Sequence, residues 1–484
     1  MKVLLINPPD ELESMFGSGK VFVQRYEPLG LLYIAAVAEA AGHAVEVIDA
    51  HAEELDMADI KRRIAAADPE VVGISTLTCS GAIVSDLGRW LKQTRPATMV
   101  VLGNIHAAVF AKTYLSQGCC DAVVHGEGEY PFRQLLEVAA GTRRLAEVDS
   151  VSYLHDGSFR GAQSEAFVHD LTKLPRPARH LVDQRLYKLS EISNQSYVSE
   201  GGKTAKTMTT SRGCPFRCRF CVVHRCATPR YDSPERVVDE LELLEKEHNA
   251  GYVYIMDPLF MGNRQRTLDI CSEIRRRGLS IRWGCDANVN YINSELVEAM
   301  AAANCYELSL GIESGVQRML DAVNKKVTPQ RVSEAVATIR RHSKIKIEGL
   351  FILGLPGETR AEAEQTIRFA IRLGLDMAQF SILCPYPGSP LFEELVERGE
   401  IDSGLRPDGG VDTSVWHRYS SYICFTDMEP IWTPETLSTK VLRDLQKKAL
   451  RKFYLRPSQV WRQARRVRLN NVGQMIRVAL DGFF

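Results

Sequence analysis

The chain has 484 residues, which is long enough for two or three domains. Its apolar fraction of 45% and charged fraction of 25% are typical of a soluble globular protein, and no window approaches the roughly 20 apolar residues of a membrane span. Because 60 Lys and Arg balance 60 Asp and Glu, the overall charge gives no reason to expect nucleic acid as a partner.

The first third of the chain alternates short apolar runs with amphipathic stretches, which indicates an open, doubly wound, Rossmann-like α/β sheet. The apolar runs predict buried parallel strands at Lys2–Asn7, Ala44–Asp49, Glu70–Thr76, Met99–Asn104 and Asp121–His125. The amphipathic stretches predict helices at Leu29–Ala41, Ala58–Ala66, Ala82–Gln93 and Ala107–Gln117.

Sheets of this kind bind ligands outside the carboxyl ends of their strands. The residues at those ends are therefore candidate binding residues. They are Asn7, Pro8, Ser75, Thr76, Gly103, Asn104, Gly126, Glu127 and Gly128.

A change of pattern follows the fifth strand. Asp156–Gly157 stands between two alternating runs and predicts a hairpin. The stretch Leu171–Asp183, with two prolines and mixed charge, is typical of a linker between domains.

From Thr204 the strand–helix alternation resumes and predicts a partial parallel barrel of about six units. Strands are expected at Lys206–Thr210, Gly251–Asp257, Ser280–Asn288, Tyr306–Glu313, Ile347–Pro356 and Met377–Pro385. Helices are expected at Pro234–His248, Arg264–Arg277, Ser294–Ala303, Pro329–His342 and Arg360–Gly374. Functional groups of such a barrel belong at the carboxyl ends of its strands, where Asp257, Asp286, Asn288 and Glu313 stand.

The C-terminal tail leaves the barrel pattern at Ile401 and is expected to be mainly helical. The aromatic residues between Tyr419 and Trp432 are predicted to cap the barrel mouth. From Arg443 to Phe484, eleven Lys and Arg stand against two Asp, with apolar residues among them. Such a segment favours either contact with an anionic membrane surface or a solvated face packed on its own domain.

Three cysteines in the stretch Met208–Arg225 are candidate metal-cluster ligands. Cys214, Cys218 and Cys221 have the spacing C-x-x-x-C-x-x-C, in a loop that Gly213 opens. A cubane iron–sulfur cluster normally takes four thiolates, so three ligands leave one iron open for a substrate. The alternative is a structural zinc site completed by His224 or Cys226.

The motif closely resembles the signature of the radical S-adenosylmethionine (SAM) enzymes. That resemblance implies a [4Fe–4S] cluster on Cys214, Cys218 and Cys221, with SAM on the open iron. It places Phe220 near the adenine. The later strand-end motifs GIESG, GLPGET and PYPGSP resemble the barrel shared by cobalamin-dependent methylases and methylthiotransferases of this family. That second resemblance places Glu313 at the ribose or methionine moiety of SAM and Asp257 at its amino end. A helix N-cap for Asp257 and a salt bridge for Glu313 are the structural alternatives.

The N-terminal segments resemble the cobalamin-binding domain found in one branch of that family. The matching pieces are INPP, EPLGLLYIAA, GHAVEVID, GIST and HGEGEYPF. The loop after the first strand lacks the D-x-H-x-x-G motif whose histidine ligates cobalt, so no histidine of that motif is expected on the metal. His51 and His106 are interpreted as loop or nucleotide-tail contacts, or as solvated residues. A Rossmann-like domain that holds nothing, or another nucleotide, is the alternative.

These resemblances predict four parts: a cobalamin domain (1–145), a hairpin and linker (146–203), a radical SAM partial barrel (204–400) and a C-terminal helical extension (401–484). Twelve cysteines without a signal peptide predict a cytoplasmic location, with membrane association through the basic tail as an option. We expect an external electron donor of the flavodoxin or ferredoxin type.

The combined cofactors suggest methyl transfer to an unactivated carbon. No polar recognition cluster stands out in the sequence, so an apolar substrate such as a hopanoid is favoured. The alternatives are an oxidative cyclase resembling the anaerobic Mg-protoporphyrin ester enzyme, and a cobalamin-binding sensor without turnover.

Overall fold

The computed structural model describes residues 1–9, 25–187, 203–406, 412–457 and 459–460. The loop in which the D-x-H-x-x-G motif was sought, and the basic residues from 461 onward, lie outside these ranges. No helix of the described residues is long and apolar enough to cross a membrane.

The first half folds into one sheet whose strand order is β2-β1-β3-β4-β5-β6-β7. The first five strands pair in parallel and the last two are antiparallel. Their bounds are β1 Lys2–Asn7, β2 Ala44–Asp49, β3 Val71–Ser75, β4 Met99–Gly103, β5 Ala122–Val124, β6 Val151–His155 and β7 Ser158–Arg160. The order reverses between β1 and β3, which is where a doubly wound sheet opens a crevice for a ligand.

Helices flank this sheet at Leu29–Ala40, Met57–Ala67, Gly81–Thr94, Ile105–Val109, Ala111–Ser116 and Glu129–Ala139. The single helix predicted at Ala107–Gln117 is wrong, because the structure breaks it at Phe110. The Phe110 ring packs 4.6 Å from His106 and 5.3 Å from Trp416 between ring centroids. This long-range packing overrides the local helical preference.

The predicted hairpin is present as β6 and β7. Asp156 and Gly157 adopt φ values of 48° and 74°, the left-handed pair that a two-residue turn between twisted strands requires. The hairpin adds an antiparallel edge to the first sheet.

The second half contains a six-stranded, wholly parallel sheet in the order β15-β14-β13-β12-β11-β8. Two short strands, β9 and β10, form a separate antiparallel pair. The bounds are β8 Thr204–Met208, β9 Ser211–Arg212, β10 Arg230–Tyr231, β11 Ala250–Ile255, β12 Arg282–Ala287, β13 Cys305–Glu313, β14 Lys346–Leu353 and β15 Met377–Ile382. The predicted partial barrel is confirmed.

Most helices of the second half begin at a side-chain cap, although Gln317–Ala322 follows Val316, which provides none. Ser233, Thr328 and Ser389 each accept a hydrogen bond from the first turn, and a proline follows each of them. The helices are Pro234–Lys246, Arg264–Arg276, Ser294–Ala302, Gln317–Ala322, Pro329–His342, Arg360–Arg372, Pro390–Glu397 and Thr439–Tyr454.

A buried ionic network joins the two halves. Arg179, in the predicted linker, pairs with Glu27 of the first half and with Glu240 of the second, the latter at 3.0 Å. Lys206 of β8 lies 3.5 Å from the other carboxylate oxygen of Glu27. All four side chains are at most 6% exposed, so the relative position of the halves is fixed by charges that cannot separate without leaving an unpaired partner.

The C-terminal segment packs differently from the prediction that its aromatic residues cap the barrel mouth. Trp416, Tyr419 and Trp432 are buried in an apolar core shared with the helices of the first sheet. Tyr422 does face the barrel, where its hydroxyl donates to Gln379 at 2.9 Å. The helix Thr439–Tyr454 buries its apolar face in the barrel core, so the described part of the basic tail is packed on its own domain.

Candidate active site

The cysteine loop (residues 213–229) leaves β9 and returns to β10. Gly213 has a φ of 85°, and a Cβ there would stand 2.6 Å from the Thr228 carbonyl oxygen. The Cys214 amide donates to the Cys226 carbonyl at 3.0 Å and closes the loop. Only glycine fits this close crossing of the backbone, which explains why it directly precedes the first cysteine.

The three predicted cluster cysteines lie close enough to influence one another. Burial raises the pKa of Cys218 to about 11, and the neighbouring thiols of Cys221 and Cys214 add to the effect. Burial likewise raises the pKa of Cys221. Thiols in such surroundings ionise when they bind a metal, because the positive charge of the metal stabilises the thiolates. The donor set therefore fits an iron–sulfur cluster.

Among the described residues, no three His, Cys, Asp or Glu side chains are grouped closely enough to hold a single metal ion. A cubane is larger than one ion and is held by separate thiolates, so it needs a wider arrangement.

One candidate fourth ligand of the zinc alternative is Cys226, whose thiol accepts a hydrogen bond from Arg230 at 3.1 Å. The side chain of His224, the other candidate fourth ligand, lies outside the described part of the chain.

Asp257 holds the turn that leads into the cysteine loop. Its carboxylate is fully buried and accepts hydrogen bonds from the amide and the hydroxyl of Thr210, at 2.6 and 2.5 Å. The amide and the hydroxyl of Ser211 donate to it at 2.9 and 2.7 Å. Arg266 supports the same turn through the Thr210 carbonyl at 2.8 Å. These contacts are neither a helix N-cap nor a contact with SAM, and the SAM assignment of Asp257 stays a prediction.

Glu313 ends β13 in a strained conformation, with a φ of 63° and 6% exposure. A buried glutamate in the left-handed region is rare, and such strain gathers at functional sites. Its carboxylate accepts a hydrogen bond from Lys325 at 2.7 Å. Gly311 leaves room for the pair, because a Cβ there would come 2.9 Å from both groups.

Lys325 is the site residue that sequence reasoning missed. Burial alone would lower its pKa, but Glu313 and the thiols of Cys218 and Cys221 outweigh burial and raise it. The ammonium group therefore stays charged beside the cluster cysteines. In the sequence, Lys325 is marked only as one of two adjacent lysines that follow the Gln317–Ala322 helix.

Phe220 is partly buried and packs against the core shared by the two halves.

A cavity of about 410 Å³ lies between the carboxyl edge of the first sheet and the start of the cysteine loop. The second half contributes part of its wall, including Thr209, Arg212 and Met256. The sequence-predicted residues that line it are Ser75, Gly103, Asn104, Gly126, Glu127 and Gly128.

Glycines line this cavity for two different reasons. A Cβ on Gly126 would come 2.3 Å from the Ala166 carbonyl oxygen, and one on Gly128 would come 2.9 Å from Ile34. At these two positions, neighbouring protein atoms occupy the space that a side chain would need. A Cβ on Gly103 would meet nothing within 4 Å, so this glycine leaves open space. Beside it Asn104 has a φ of 78° and donates to Ser75 at 3.3 Å.

Three other predicted residues do not line this cavity. The Asn7 amide donates to Asp49 at 2.8 Å, and Pro8 follows it at the end of β1. Thr76 is fully buried. The assignment of these three to cobalamin stays a prediction.

His106 is a core residue, so its interpretation as a loop contact or a solvated side chain is wrong. It is fully buried, and its Nδ1 atom lies 3.2 Å from the Thr78 hydroxyl. Burial lowers its pKa to about 3, which keeps the ring neutral. Trp416 packs edge-on against it at 4.4 Å.

A polar row crosses the inside of the barrel, although no polar recognition cluster stands out in the sequence. Tyr254 donates to Asp286 at 2.6 Å. Ser309 and Gln379 donate to Glu348 at 2.8 and 2.9 Å. Because these residues stand on five different strands, their meeting depends on strand register and leaves no motif in the sequence.

Two family models match the chain in succession. The B12 binding domain matches residues 19–136, and the Radical SAM superfamily matches residues 208–370. The first match covers β2 to β5 of the sheet that borders the cavity, and the second covers the cysteine loop and most of the parallel barrel.

Several curated proteins resemble this chain over much of its length. An uncharacterized methyltransferase of Pyrococcus horikoshii is 32% identical over 460 residues, which are 94% of this chain and 93% of the relative. The anaerobic magnesium-protoporphyrin IX monomethyl ester cyclase of Rubrivivax gelatinosus is 28% identical and covers 83% of this chain and 71% of its own. The hopanoid C-2 methylase of Rhodopseudomonas palustris is 26% identical and covers 59% of this chain and 56% of its own.

The fold also resembles that of a solved structure. The radical SAM methyltransferase TsrM from Kitasatospora setae superposes with a TM-score of 0.70 at 18% identity. The match covers 94% of this chain and 90% of TsrM. At this identity the likeness concerns the fold alone.

Proposed function

The chain belongs to the radical SAM enzymes that carry an N-terminal B12-binding domain, and within this family we propose that it places a methyl group on an unactivated carbon of an apolar substrate. The observation that carries the proposal is the cavity whose walls come from both the cobalamin sheet and the cysteine loop.

Membership of this family brings three cofactors: cobalamin, SAM and a [4Fe–4S] cluster. Cys214, Cys218 and Cys221 would hold the cluster, and the carboxyl edge of the first sheet would hold cobalamin. Together these cofactors supply a methyl group and a radical able to open an inert C–H bond. The role of the protein would be to hold both cofactors beside one cavity, with Glu313 and Lys325 at the SAM end.

Apolar side chains at the strand ends support the proposed substrate class. Leu77, Met256 and Tyr386 are 45%, 43% and 39% exposed, and each follows the carboxyl end of a strand. Large exposed apolar groups at such positions suit an apolar ligand. The polar row inside the barrel would accommodate one polar end of such a molecule. A hopanoid is our specific candidate, by analogy with the hopanoid methylase relative.

Product analysis tests the reaction. With reductant, cobalamin and [methyl-¹³C]SAM, a methylase should form S-adenosylhomocysteine and 5′-deoxyadenosine in roughly equal amounts and should label the product. Deoxyadenosine without S-adenosylhomocysteine, together with an unlabelled product, would contradict this proposal. It would favour an oxidative cyclase, like the cyclase of Rubrivivax gelatinosus that matches 83% of this chain. A cobalamin-binding sensor would show no SAM turnover.

We also propose that no protein imidazole binds cobalt, because the loop after β1 contains no histidine. Electron paramagnetic resonance of the Co(II) form should lack nitrogen hyperfine splitting from a histidine. If such splitting appears and is lost in a His51→Ala variant, this part of the proposal is wrong.

Two partners complete the proposal. An external electron donor of the flavodoxin or ferredoxin type would reduce the cluster. The basic C-terminal tail would bring the enzyme to an anionic membrane, which vesicle sedimentation tests by comparing the full chain with one that lacks Arg462–Phe484. If the full chain ignores anionic vesicles, or if both chains sediment equally, the tail has no membrane role.

A further inference from the structure

Two arginines stand directly opposite each other where the cysteine loop begins and ends. Arg212 of β9 and Arg230 of β10 are partners in the antiparallel ladder. Like charges in such opposite positions destabilise a strand pair. Arg230 is buried and Arg212 is mostly buried, with side-chain exposures of 8% and 17%, so water screens their charges only weakly. Something else must neutralise them.

One glutamate of the first half contacts both, and a second completes the charge balance. Glu127, in the cavity loop (residues 125–129), binds Arg230 through both oxygens at 2.7 and 2.8 Å. It lies 3.2 Å from Arg212. Arg212 also donates to Glu129 of the same loop at 2.6 Å. Burial would raise the pKa of Glu127, but the two arginines and the Val168 amide outweigh burial and lower it, so the carboxylate stays charged.

These contacts reach both cofactor sites. Glu127, Glu129 and Arg212 line the cobalamin cavity. Arg230 donates to the Cys226 thiol at 3.1 Å, and the Cys226 carbonyl receives the Cys214 amide. A displacement of the cavity loop is therefore transmitted through Glu127 to the two ends of the loop that carries the cluster cysteines.

We propose that Glu127 is a positioning residue that clamps both ends of the cysteine loop to the cobalamin cavity, so that cluster binding and cobalamin binding reinforce each other. The ordered loop would hold Arg212 and Arg230 in place, and they in turn would hold the cavity loop in its ligand-binding position. This coupling rests on the proposed cofactor set but does not depend on which reaction follows.

A binding experiment without turnover tests the coupling. Hydroxocobalamin is titrated, by absorbance, into cluster-free protein and into anaerobically reconstituted protein. For the native chain we expect the dissociation constant to be at least about 5-fold lower when the cluster is present, the usual lower range of coupling between sites. Glu127→Gln should bring this ratio close to one, because an uncharged amide no longer holds Arg212 and Arg230 to the same point of the cavity loop.

Glu242→Gln is the matched control. Glu242 binds Arg277 and Lys246 on the outer face of the barrel, away from both loops. The ratio of the two cobalamin dissociation constants in Glu242→Gln should therefore equal that of the native chain. If Glu127→Gln does not fold, Arg212→Lys decides the matter, since a lysine keeps the charge but lacks the planar guanidinium fork that reaches Glu127 and Glu129 together. A native ratio near one overturns the proposal. So does a native-like ratio in Glu127→Gln or Arg212→Lys, or an equal loss in Glu242→Gln.

Because no substrate is present, a result against the clamp leaves methyl transfer untouched. Conversely, a product analysis that favours the cyclase leaves the clamp standing. The two proposals therefore fail on different measurements.

Discussion

The two sheets present opposite surfaces at their carboxyl ends. After β3 and β4 the first sheet offers small residues and open space, as at Ser75 and Gly103. Its charged residues in this cavity, Glu127 and Glu129, are turned to arginines of the second half. The barrel offers charges that are each fixed by particular partners, as at Asp257, Glu313 and Lys325. A surface of the first kind suits a large ligand held by shape, whereas the second kind suits small charged groups held one by one.

The largest effect is expected on the barrel, where removing one cluster ligand should abolish cluster binding completely. Cys214→Ala, Cys218→Ala or Cys221→Ala should abolish both the iron-dependent absorbance and SAM cleavage, because each removes a thiolate that no neighbour replaces. Cys226→Ala should keep both. If Cys226→Ala loses the cluster while one of the other three variants retains it, the ligand assignment is wrong.

Asp257→Asn should cost roughly 2 to 4 kcal/mol of unfolding free energy, measured in urea. Four donors converge on this carboxylate, and an amide would turn its own NH₂ group toward some of them. The matched variant is Asp286→Asn, whose carboxylate accepts a hydrogen bond from Tyr254 and from no other residue in the described ranges. Equal losses in the two variants would show that the turn before the cysteine loop has no special dependence on Asp257.

The charge of Asp286 should make stability depend on pH. Burial raises its pKa to about 6 from an ordinary value of 3.8, and the nearby Glu348 adds to the effect. Between these values the folded protein keeps a proton that the unfolded chain has lost. The free energy of unfolding should therefore fall by roughly 2 to 3 kcal/mol from pH 4 to pH 6 and change little above that range. The same titration of Asp286→Asn should be flatter, and an unchanged slope would refute the assignment.

Lys325→Met should weaken SAM binding about 10- to 100-fold, as measured by equilibrium dialysis with the reconstituted protein. Without the ammonium group, the buried carboxylate of Glu313 keeps a negative charge with no partner next to the thiolates. Lys326→Met is the control, because its side chain is exposed and next to Lys325 in the chain. A similar effect in both variants would mean that only the general positive charge of this segment matters.

The smallest effect is expected on the first sheet. Gly103→Ala should leave stability within about 0.5 kcal/mol but should weaken cobalamin binding several-fold, because its methyl group would enter open cavity space. Gly126→Ala should instead destabilise the fold, since its φ of 86° and the Ala166 backbone both exclude a Cβ. If Gly103→Ala binds cobalamin as the native chain does, this face of the cavity does not contact the ligand.

Local patterns in the sequence predicted most of the architecture. Strand bounds such as Lys2–Asn7 and Ala44–Asp49 agree with the structure because consecutive apolar residues determine them. The cysteine motif and Gly213 were recognisable because their constraint acts within a few residues. Phe110 shows the limit, since the residue that interrupts its helix, Trp416, is about 300 positions away.

The polar contacts of the site could not be predicted in the same way. Lys325 has a neighbour, Lys326, of the same type, and only the fold decides which of the two is buried beside Glu313. Glu127 was predicted to contact cobalamin, but its pairing with Arg212 and Arg230 requires two loops from different halves to meet. The polar row depends on register across five strands. Each of these contacts is long-range, and a single sequence contains no record of them.

The shared core also determines the order in which the chain can complete its structure during synthesis. Trp416, Tyr419 and Trp432 fill the apolar layer over the helices of the first sheet, yet they follow its last parallel strand by nearly 300 residues. At 5–20 residues per second, a ribosome needs roughly 15 to 60 seconds to add that length. Throughout this interval the nascent N-terminal half exposes the apolar surface around Phe110 and Tyr114. The growing chain must therefore be shielded from aggregation until its C-terminal segment emerges.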